Sequence, residues 1–433
     1  MRSFLTTGVV VLLIVALRSL SFGQSTLTLE QCLAKARANG PALRIAENAV
    51  RMAELSKREL STTARPQLKT AIGAGYAPFS RHFGYDPALS NGGQLTGQLM
   101  AEQIIYDGGR RSVKATQFDL DIARSGKERQ LAVRDLEFGV RQAYVGVLKA
   151  QAEVSLREQT LMQLADYLEL VARLNAGGAV AYTDLLKTRV ELSTASISAA
   201  QARQSVTLAK YDLAELMGKP EDTSFNLSGS LDAYPIGQFD VIDAHMPFDS
   251  SQNLELAVAR LNCERSVTEI REAERDRLPT VSLVGDAGLL TSRENLQLPH
   301  AERFRSIGYS VGFSLDLPLF DWGGRRFRVQ QRQLAAESAM LQSEALRRSI
   351  AAEYRKSQLQ LISATSQLDS LRANIKVAED NFLLTKSKYA GGAALASEVL
   401  SAQQFLAETK ISELETLAEM QILLARLEQI AAH

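Results

Sequence analysis

The sequence predicts a mainly α-helical protein that also supplies strands to a membrane β-barrel, and three observations predict it. Two stretches of about 65 residues contain no proline, as very long helices require. Four segments alternate apolar and polar residues with period two, as strands with one wetted face do. The whole pattern occurs twice along the chain.

The N-terminus has the layout of a secretory signal. Arg2 supplies the charge, Phe4 to Leu17 is almost wholly apolar, and Ser21-Phe22-Gly23 ends the segment, which places cleavage after Gly23. The apolar run falls short of the roughly 20 residues a membrane-spanning helix needs. Leu29-Glu30-Gln31 before Cys32 is no lipoprotein box. No other long apolar stretch follows, so a helical membrane protein is excluded for a chain that is nonetheless exported. Forty-nine basic and forty-nine acidic residues leave no net charge, which argues against nucleic acid as a partner. Cys32 and Cys263 can form one bridge or remain two free thiols.

Four landmarks recur in order at an offset of 213 to 215 residues. Arg65-Pro66-Gln67-Leu68 matches Leu278-Pro279-Thr280-Val281. Tyr106-Asp107-Gly108-Gly109-Arg110-Arg111 matches Phe320-Asp321-Trp322-Gly323-Gly324-Arg325-Arg326, read with one inserted residue. Ala176-Gly177-Gly178-Ala179 matches Ala390-Gly391-Gly392-Ala393, and Tyr182-Thr183-Asp184-Leu185-Leu186 matches Ala396-Ser397-Glu398-Val399-Leu400. So long a period excludes a solenoid and makes each half a structural unit. The expected organisation is a signal over 1–23, a first repeat over 24–220, an irregular link over 221–251 rich in Pro, Gly and Asp, and a second repeat over 252–433.

Each repeat reads helix, strand, strand, long helix, tight break, helix. In the first long helix Val133, Leu136, Val140, Tyr144 and Val147 recur at three- and four-residue steps, one face of a helix. A continuous helix of this length spans about 100 Å and needs other long helices beside it. The pairs Gly177-Gly178 and Gly391-Gly392 suit left-handed helix ends, which makes two hairpins, over about 110–217 and 325–430. Thr183 and Ser397 are expected N-caps, with Asp184 and Glu398 in the first turn, where the helix dipole favours an acid.

The strands are expected at about 67–77, 93–106, 280–290 and 306–320. Ile307, Tyr309, Val311, Phe313, Leu315, Leu317 and Leu319 face one way along the last of them, opposite Ser306, Gly308, Ser310, Gly312, Ser314 and Asp316. Ten to fifteen residues suit tilted strands crossing a bilayer, for which about 9–11 suffice. The polar face is rich in Ser, Gly, Gln and Thr, as a wetted lumen is. The loops 78–92 and 291–305 carry Arg81, Asp86, Arg293, Glu294, Glu302 and Arg303, as an external face does. Open edges are not tolerated in lipid, and the smallest closed barrels have about eight strands, so one chain cannot close the pore and copies must share it.

These residues together resemble the TolC-like outer-membrane efflux protein family over essentially the whole mature chain. The Asp107-Gly108-Gly109 and Asp321-Trp322-Gly323-Gly324 strand-to-helix junctions carry the likeness. So do the tip segments Arg173 to Asp184 and Tyr389 to Ala393, and the opening Leu29 to Ala34 with Asn39-Gly40-Pro41-Ala42-Leu43. The resemblance implies a homotrimer closing a twelve-stranded barrel in outer-membrane lipid, above a coiled tube of helices crossing the periplasm. It implies docking to an inner-membrane transporter through a periplasmic adaptor (membrane fusion) protein, and passage of small molecules or polypeptides without catalysis. By position it assigns Asp184, Tyr389 and Glu398 to the periplasmic gate. It offers Arg173, Gly177, Gly178, Gly391 and Gly392 at the hairpin tips for adaptor docking. The chain departs from the family pattern in having Ala394 where an arginine is expected and Ser401 where a second acid is expected.

No enzyme signature stands beside this. His82, His245, His300 and His433 are scattered without metal-ligand spacing, and no phosphate-binding loop with its lysine is present. No cofactor, catalytic residue or metal site is expected. Two rivals remain: a periplasmic adaptor, which carries one hairpin between β-rich domains rather than two, and a structural coiled-coil scaffold, which needs no lipid-compatible strand.

Overall fold

A computed structural model describes residues 26–77, 92–231, 251–292 and 304–431. The expected signal, nearly all of the two strand loops, and most of the link between the repeats lie outside these residues. Strand β1 (Thr26–Leu27) opens the chain, then helices α1 (Leu29–Asn39) and α2 (Pro41–Thr62), and strands β2 (Gln67–Ala77) and β3 (Gly92–Tyr106). Helix α3 (Arg110–Ala176) and α4 (Tyr182–Leu216) form the first hairpin, and β4 (Asn226–Leu227) follows. The second repeat runs α5 (Leu254–Arg275), β5 (Thr280–Ser292), β6 (Phe304–Asp316), α6 (Gly324–Ala390) and α7 (Ala396–Ala431).

The long helices α3 and α6 have 67 residues each. Both end in the same device. Gly178 and Gly392 take left-handed φ of 72° and 76°. The Ala179 N–H then donates to Leu174 O (2.9 Å) and the Ala393 N–H to Lys388 O (2.8 Å), which satisfies carbonyls the helix end leaves over. Gly218, φ 74°, ends α4 likewise, with the Lys219 N–H on Ala214 O at 3.0 Å. At Gly40 α1 stops, and Pro41 starts α2, where a missing N–H costs nothing.

Two expectations fail at helix starts. α4 begins at Tyr182 with Ala181 as a cap that makes no side-chain hydrogen bond, so Thr183 lies inside the first turn. Ser397 likewise lies inside α7, which begins at Ala396. There the acid takes over the capping role, since the Leu395 N–H donates to Glu398 Oε2 at 3.1 Å.

The four long strands form one antiparallel sheet in the order β2-β3-β5-β6. Register fixes its faces, because residues directly paired across antiparallel strands share a face. Ile72 pairs with Gly97, Gly97 with Leu289 and Leu289 with Ile307; Leu99 pairs with Ala287 and Ala287 with Tyr309. This face is mainly apolar, broken by Thr70 opposite Leu99 and Gln103 opposite Leu283, and its Ile72, Ile307, Tyr309, Val311 and Phe313 are strongly exposed. The opposite face pairs Lys69 with Met100, Met100 with Asp286 and Asp286 with Ser310, whose hydroxyl donates to the Asp286 carboxylate. A bulge between Ile104 and Tyr106 shifts the β3–β5 register near the base. β6 ends at Asp316 and does not reach Phe320, since Pro318 has no N–H to donate to a ladder. The outer edges, β2 and β6, have no strand partner among the described residues.

The chain divides into two compact units that cut across the repeats. One comprises the described residues of Met1–Arg44, Leu131–Asn253 and Ser349–His433. Its main core joins Val140, Val147, Leu213, Leu417 and Met420 with Cys32 of α1, and the parallel pair β1–β4 lies beside it. The other comprises the described residues of Ile45–Gln130 and Leu254–Arg348, sheet included. Polar pairs hold its helices: Arg265 to Asp121 (2.9 Å), Arg332 to Glu269 (2.9 Å), and Gln117 to Glu272 (2.8 Å). Cys32 and Cys263 are both free thiols.

Candidate functional site

Two places gather the residues singled out in the sequence: the hairpin tips in the first unit and the strand-to-helix junctions in the second. At the tips α3, α4, α6 and α7 share an apolar core that includes Val171, Leu185, Phe382, Ala396 and Val399. Tyr389, in the last turn of α6, is 2% exposed, and its ring meets that of Tyr167 edge to face, with centroids 5.4 Å apart. Tyr167 itself is 1% exposed. Neither hydroxyl closes a hydrogen bond of full geometry among the described residues, and the two phenols interact with each other, an uncommon state for buried phenols.

Asp184 lies in the first turn of α4, half-buried, beside this pair. Burial first, then the neighbouring Tyr389 phenol and last the charge of Asp184 push Tyr167 well above its ordinary pKa; burial and then the charge of Asp184 raise Tyr389, against a small opposing effect of Tyr167. The Asp184 carbonyl accepts the hydroxyl of buried Thr188 at 2.8 Å. Asp184 and Tyr389, expected together at a gate, are therefore neighbours. Glu398 occupies the equivalent turn of the other hairpin, exposed, with one oxygen on the Leu395 N–H. Arg173 is exposed and pairs with Glu169 at 3.5 Å along its own helix. Gly177, Gly178, Gly391 and Gly392 form the exposed turns.

Tyr167 was not singled out in the sequence. Its partner Tyr389 falls opposite Asn175 in the repeat, so the duplication gives no pointer to it. The signal that does exist is the spacing of Leu164, Tyr167 and Val171, all buried on one face of α3.

The junctions show what their aspartates do. Asp107 accepts the Gly109 N–H at 2.9 Å and the Arg111 N–H at 2.7 Å, satisfying two groups at the start of α3. The Arg110 guanidinium returns to Asp107 O at 2.9 Å and reaches the Thr280 hydroxyl at the foot of β5. Asp321 repeats the plan for α6, taking the Arg325 N–H at 2.8 Å and its Nε at 3.2 Å. Partial desolvation works against ionisation of Asp321, but these bonds and the Arg325 charge outweigh it and hold the carboxyl below its usual pKa.

This geometry corrects the alignment of the two junctions. In both, the carboxylate caps the residue four places on, and the two residues after the aspartate have positive φ: Gly108 (68°) and Gly109 (76°), Trp322 (55°) and Gly323 (84°). Nothing is inserted. Trp322 stands where Gly108 stands, Gly323 where Gly109 does, and Gly324, already helical, opposite Arg110. Trp322 is the one non-glycine among the described residues with positive φ, a strain of about 1–2 kcal/mol.

Comparison with known proteins fits this architecture. Residues 32–219 and 250–433 match the family described as Outer membrane efflux protein. The chain belongs to that family. It is 24% identical over 365 residues to the outer membrane protein TolC of Escherichia coli, covering 80% of this chain and 71% of that one. It is 25% identical over 275 residues to the protease secretion protein PrtF of Dickeya chrysanthemi, covering 63% of this chain and 58% of that relative's length. A third relative, at 24% over 403 residues (87% of this chain and 79% of the other), is the pyoverdine export outer membrane protein OpmQ of Pseudomonas aeruginosa. Among solved structures, the Campylobacter jejuni outer membrane channel CmeC superposes with a TM-score of 0.76 at 15% identity, over 93% of this chain and 85% of that one. The Vibrio cholerae outer membrane protein VceC gives 0.72 at 16%, over 93% and 95%. The fold is that of these channels, a long-helix tube with a barrel, and the protein is an outer-membrane one.

Proposed function

We propose that three copies close one twelve-stranded barrel, edge β6 of each copy pairing with edge β2 of the next, and that the assembly is an exit duct. It passes small molecules or polypeptides outward from an inner-membrane transporter, to which a periplasmic adaptor couples it. The observation that carries this reading is the sheet: an exposed apolar face, a polar face bearing Lys69, Asp286 and Ser310, and two unpaired edges. Lipid accepts such a sheet only when it is closed, and four strands cannot close alone. The strand count leaves β6 running opposite to β2, so the joint between copies continues the antiparallel order. An adaptor or a coiled-coil scaffold has no use for the apolar face.

In this reading Asp184, Tyr389 and Glu398 form the periplasmic gate, with Tyr167 as the ring that holds Tyr389. The buried phenols support it, because neither completes a hydrogen bond of full geometry among the described residues and a neighbouring copy can supply a better acceptor. Adaptor docking falls to the turns at Gly177-Gly178 and Gly391-Gly392, with Arg173 beside the first. The deciding experiment is single-channel recording of the detergent-extracted protein in a planar bilayer, with native mass measured on the same sample. Discrete long-lived steps from a three-chain particle are expected; a monomer without conductance refutes the duct.

A further inference from the structure

We propose that a groove between the end of α5 and the first turns of α6 binds the phosphate of a phospholipid headgroup, taken from the membrane leaflet nearer the helices. The inference rests on the barrel reading above and begins with an imbalance of charge. The α5–α6 pair has a hollow on each side. One, of about 420 Å³, is lined by Glu269, Glu272, Asp276, Arg328 and Arg332. Each of its carboxylates has a cationic partner: Arg332 meets Glu269 at 2.9 Å, Lys114 meets Glu272 at 3.7 Å, and Arg110 and Arg328 meet Asp276 at 3.9 and 3.8 Å. Charge on that side is balanced from within.

The other hollow, of about 580 Å³, is lined by Glu274, Arg277, Arg325, Arg326, Val329 and Gln330. Three guanidinium groups share it with one carboxylate. Arg325 is held in place by the Asp321 carboxylate, with Nε at 3.2 Å, and by Pro318 O at 3.3 Å. Arg277 and Arg326 are exposed and make no hydrogen bond or ion pair among the described residues. The two hollows lie under opposite faces of the sheet. Arg110, which meets Asp276, also reaches the hydroxyl of Thr280, and Thr280 belongs with Ser282 and Asp286 to the polar face. The balanced hollow is therefore below the polar face, and the arginine groove below the apolar face that meets lipid. Its depth follows from the chain. Arg277 stands just before Thr280, where β5 begins, and α6 begins at Gly324. The groove thus lies where the lipid-facing sheet gives way to helices, which is the level of headgroups. A planar guanidinium can grip two phosphate oxygens at once, and two of them without partners suit a phosphodiester. Basic pockets between helices at a membrane surface hold anionic headgroups in this way.

The test is native mass spectrometry of the full assembly, extracted in detergent and supplied with phosphatidylglycerol. The parent should keep the lipid bound while detergent is stripped away. Arg277→Gln with Arg326→Gln should retain about tenfold less, and since both side chains are exposed and unpaired the fold should be unaffected. A matched control, Arg189→Gln with Arg347→Gln, removes the same charge from exposed positions elsewhere and should retain lipid as the parent does. Equal retention by the parent and the groove variant overturns the proposal. Equal loss in both double variants reduces the effect to net charge and overturns it too. Ready displacement of the lipid by inorganic phosphate would mark a site for free anions, which overturns the lipid assignment. Planar-bilayer recording of the same sample keeps the two readings apart. Conductance steps without groove-dependent lipid refute the groove and leave the duct standing, whereas a monomer without steps refutes the barrel and the groove with it.

Discussion

Replacing Tyr389 by phenylalanine separates two energetic situations of opposite sign. Among the described residues the hydroxyl is buried with no hydrogen bond of full geometry, only an interaction with the Tyr167 phenol, while the charge of Asp184 lies close by. If the assembled entrance leaves it so, deleting the oxygen removes an unmet desolvation cost of about 1–3 kcal/mol and the protein becomes more stable. If a closed gate gives the hydroxyl a carboxylate acceptor from a neighbouring copy, each such bond contributes about 1.5–3 kcal/mol to the closed state. Its loss then favours opening by roughly 10- to 150-fold per contact. The assay is paired: the fraction of time spent in the high-conductance state in planar bilayers, and the temperature at which the oligomer dissociates. We expect Tyr389→Phe to open the channel more often, and Tyr167→Phe to raise thermal stability with little effect on opening. A Tyr389→Phe protein that melts higher and opens no more often than the parent refutes the gate contact.

Asp184→Asn and Glu398→Gln should each lower the preference for cations, read as a shift in reversal potential under a salt gradient; an unchanged potential leaves these acids only their first-turn role. Gly218→Ala should destabilise more than Gly178→Ala, as measured by thermal dissociation. Both pay about 1–2 kcal/mol for a left-handed alanine, but a Cβ at 218 also meets Asn39 Cβ at 2.8 Å and Asn39 O at 2.9 Å, whereas at 178 it meets nothing within 4 Å. Stability should fall as pH rises past about 10, because the unfolded chain releases phenolic protons there while folded Tyr167 and Tyr389 retain theirs; Tyr167→Phe should flatten that slope. In acid the sign reverses for Asp321, whose lowered pKa stabilises the fold above the ordinary carboxylate range and stops doing so as pH falls through the folded value. Asp321→Asn should remove that portion of the acid sensitivity in a melting series.

Much of the fold was legible because strand and helix periodicities are properties of neighbouring residues. The alternation from Ile307 to Leu315 marks a strand whatever it pairs with, and the glycine pairs mark helix ends because positive φ is local. What failed depends on hydrogen bonds that sequence does not display. Thr183 and Ser397 are good caps by type, yet the helices start one residue earlier, at Tyr182 and Ala396. The junctions were aligned on their glycine pairs, whereas the carboxylate-to-backbone bonds align them on aspartate, which puts Trp322 in a glycine's place. At the tips, Asp184 and Tyr389 were read through the family likeness, and the fold places them near each other. Tyr167 needed the fold, since its relation to Tyr389 is a ring contact between residues 222 positions apart.

Helix α2 buries none of its residues within the protomer, and its Ile45, Met52 and Leu55 stand exposed. The sheet edges, β2 next in the chain and β6 far along it, are equally unfinished among the described residues. If copies share one barrel as proposed, the vulnerable moment in the life of this protein is the interval before they meet, when greasy helix and open strand are both available to the wrong partner. A holding chaperone, or export that keeps new copies near one another, would shorten that exposure. Substitutions that merely slow the meeting of copies will be cleared by envelope proteases, and will present as low abundance long before any change in conduction can be measured.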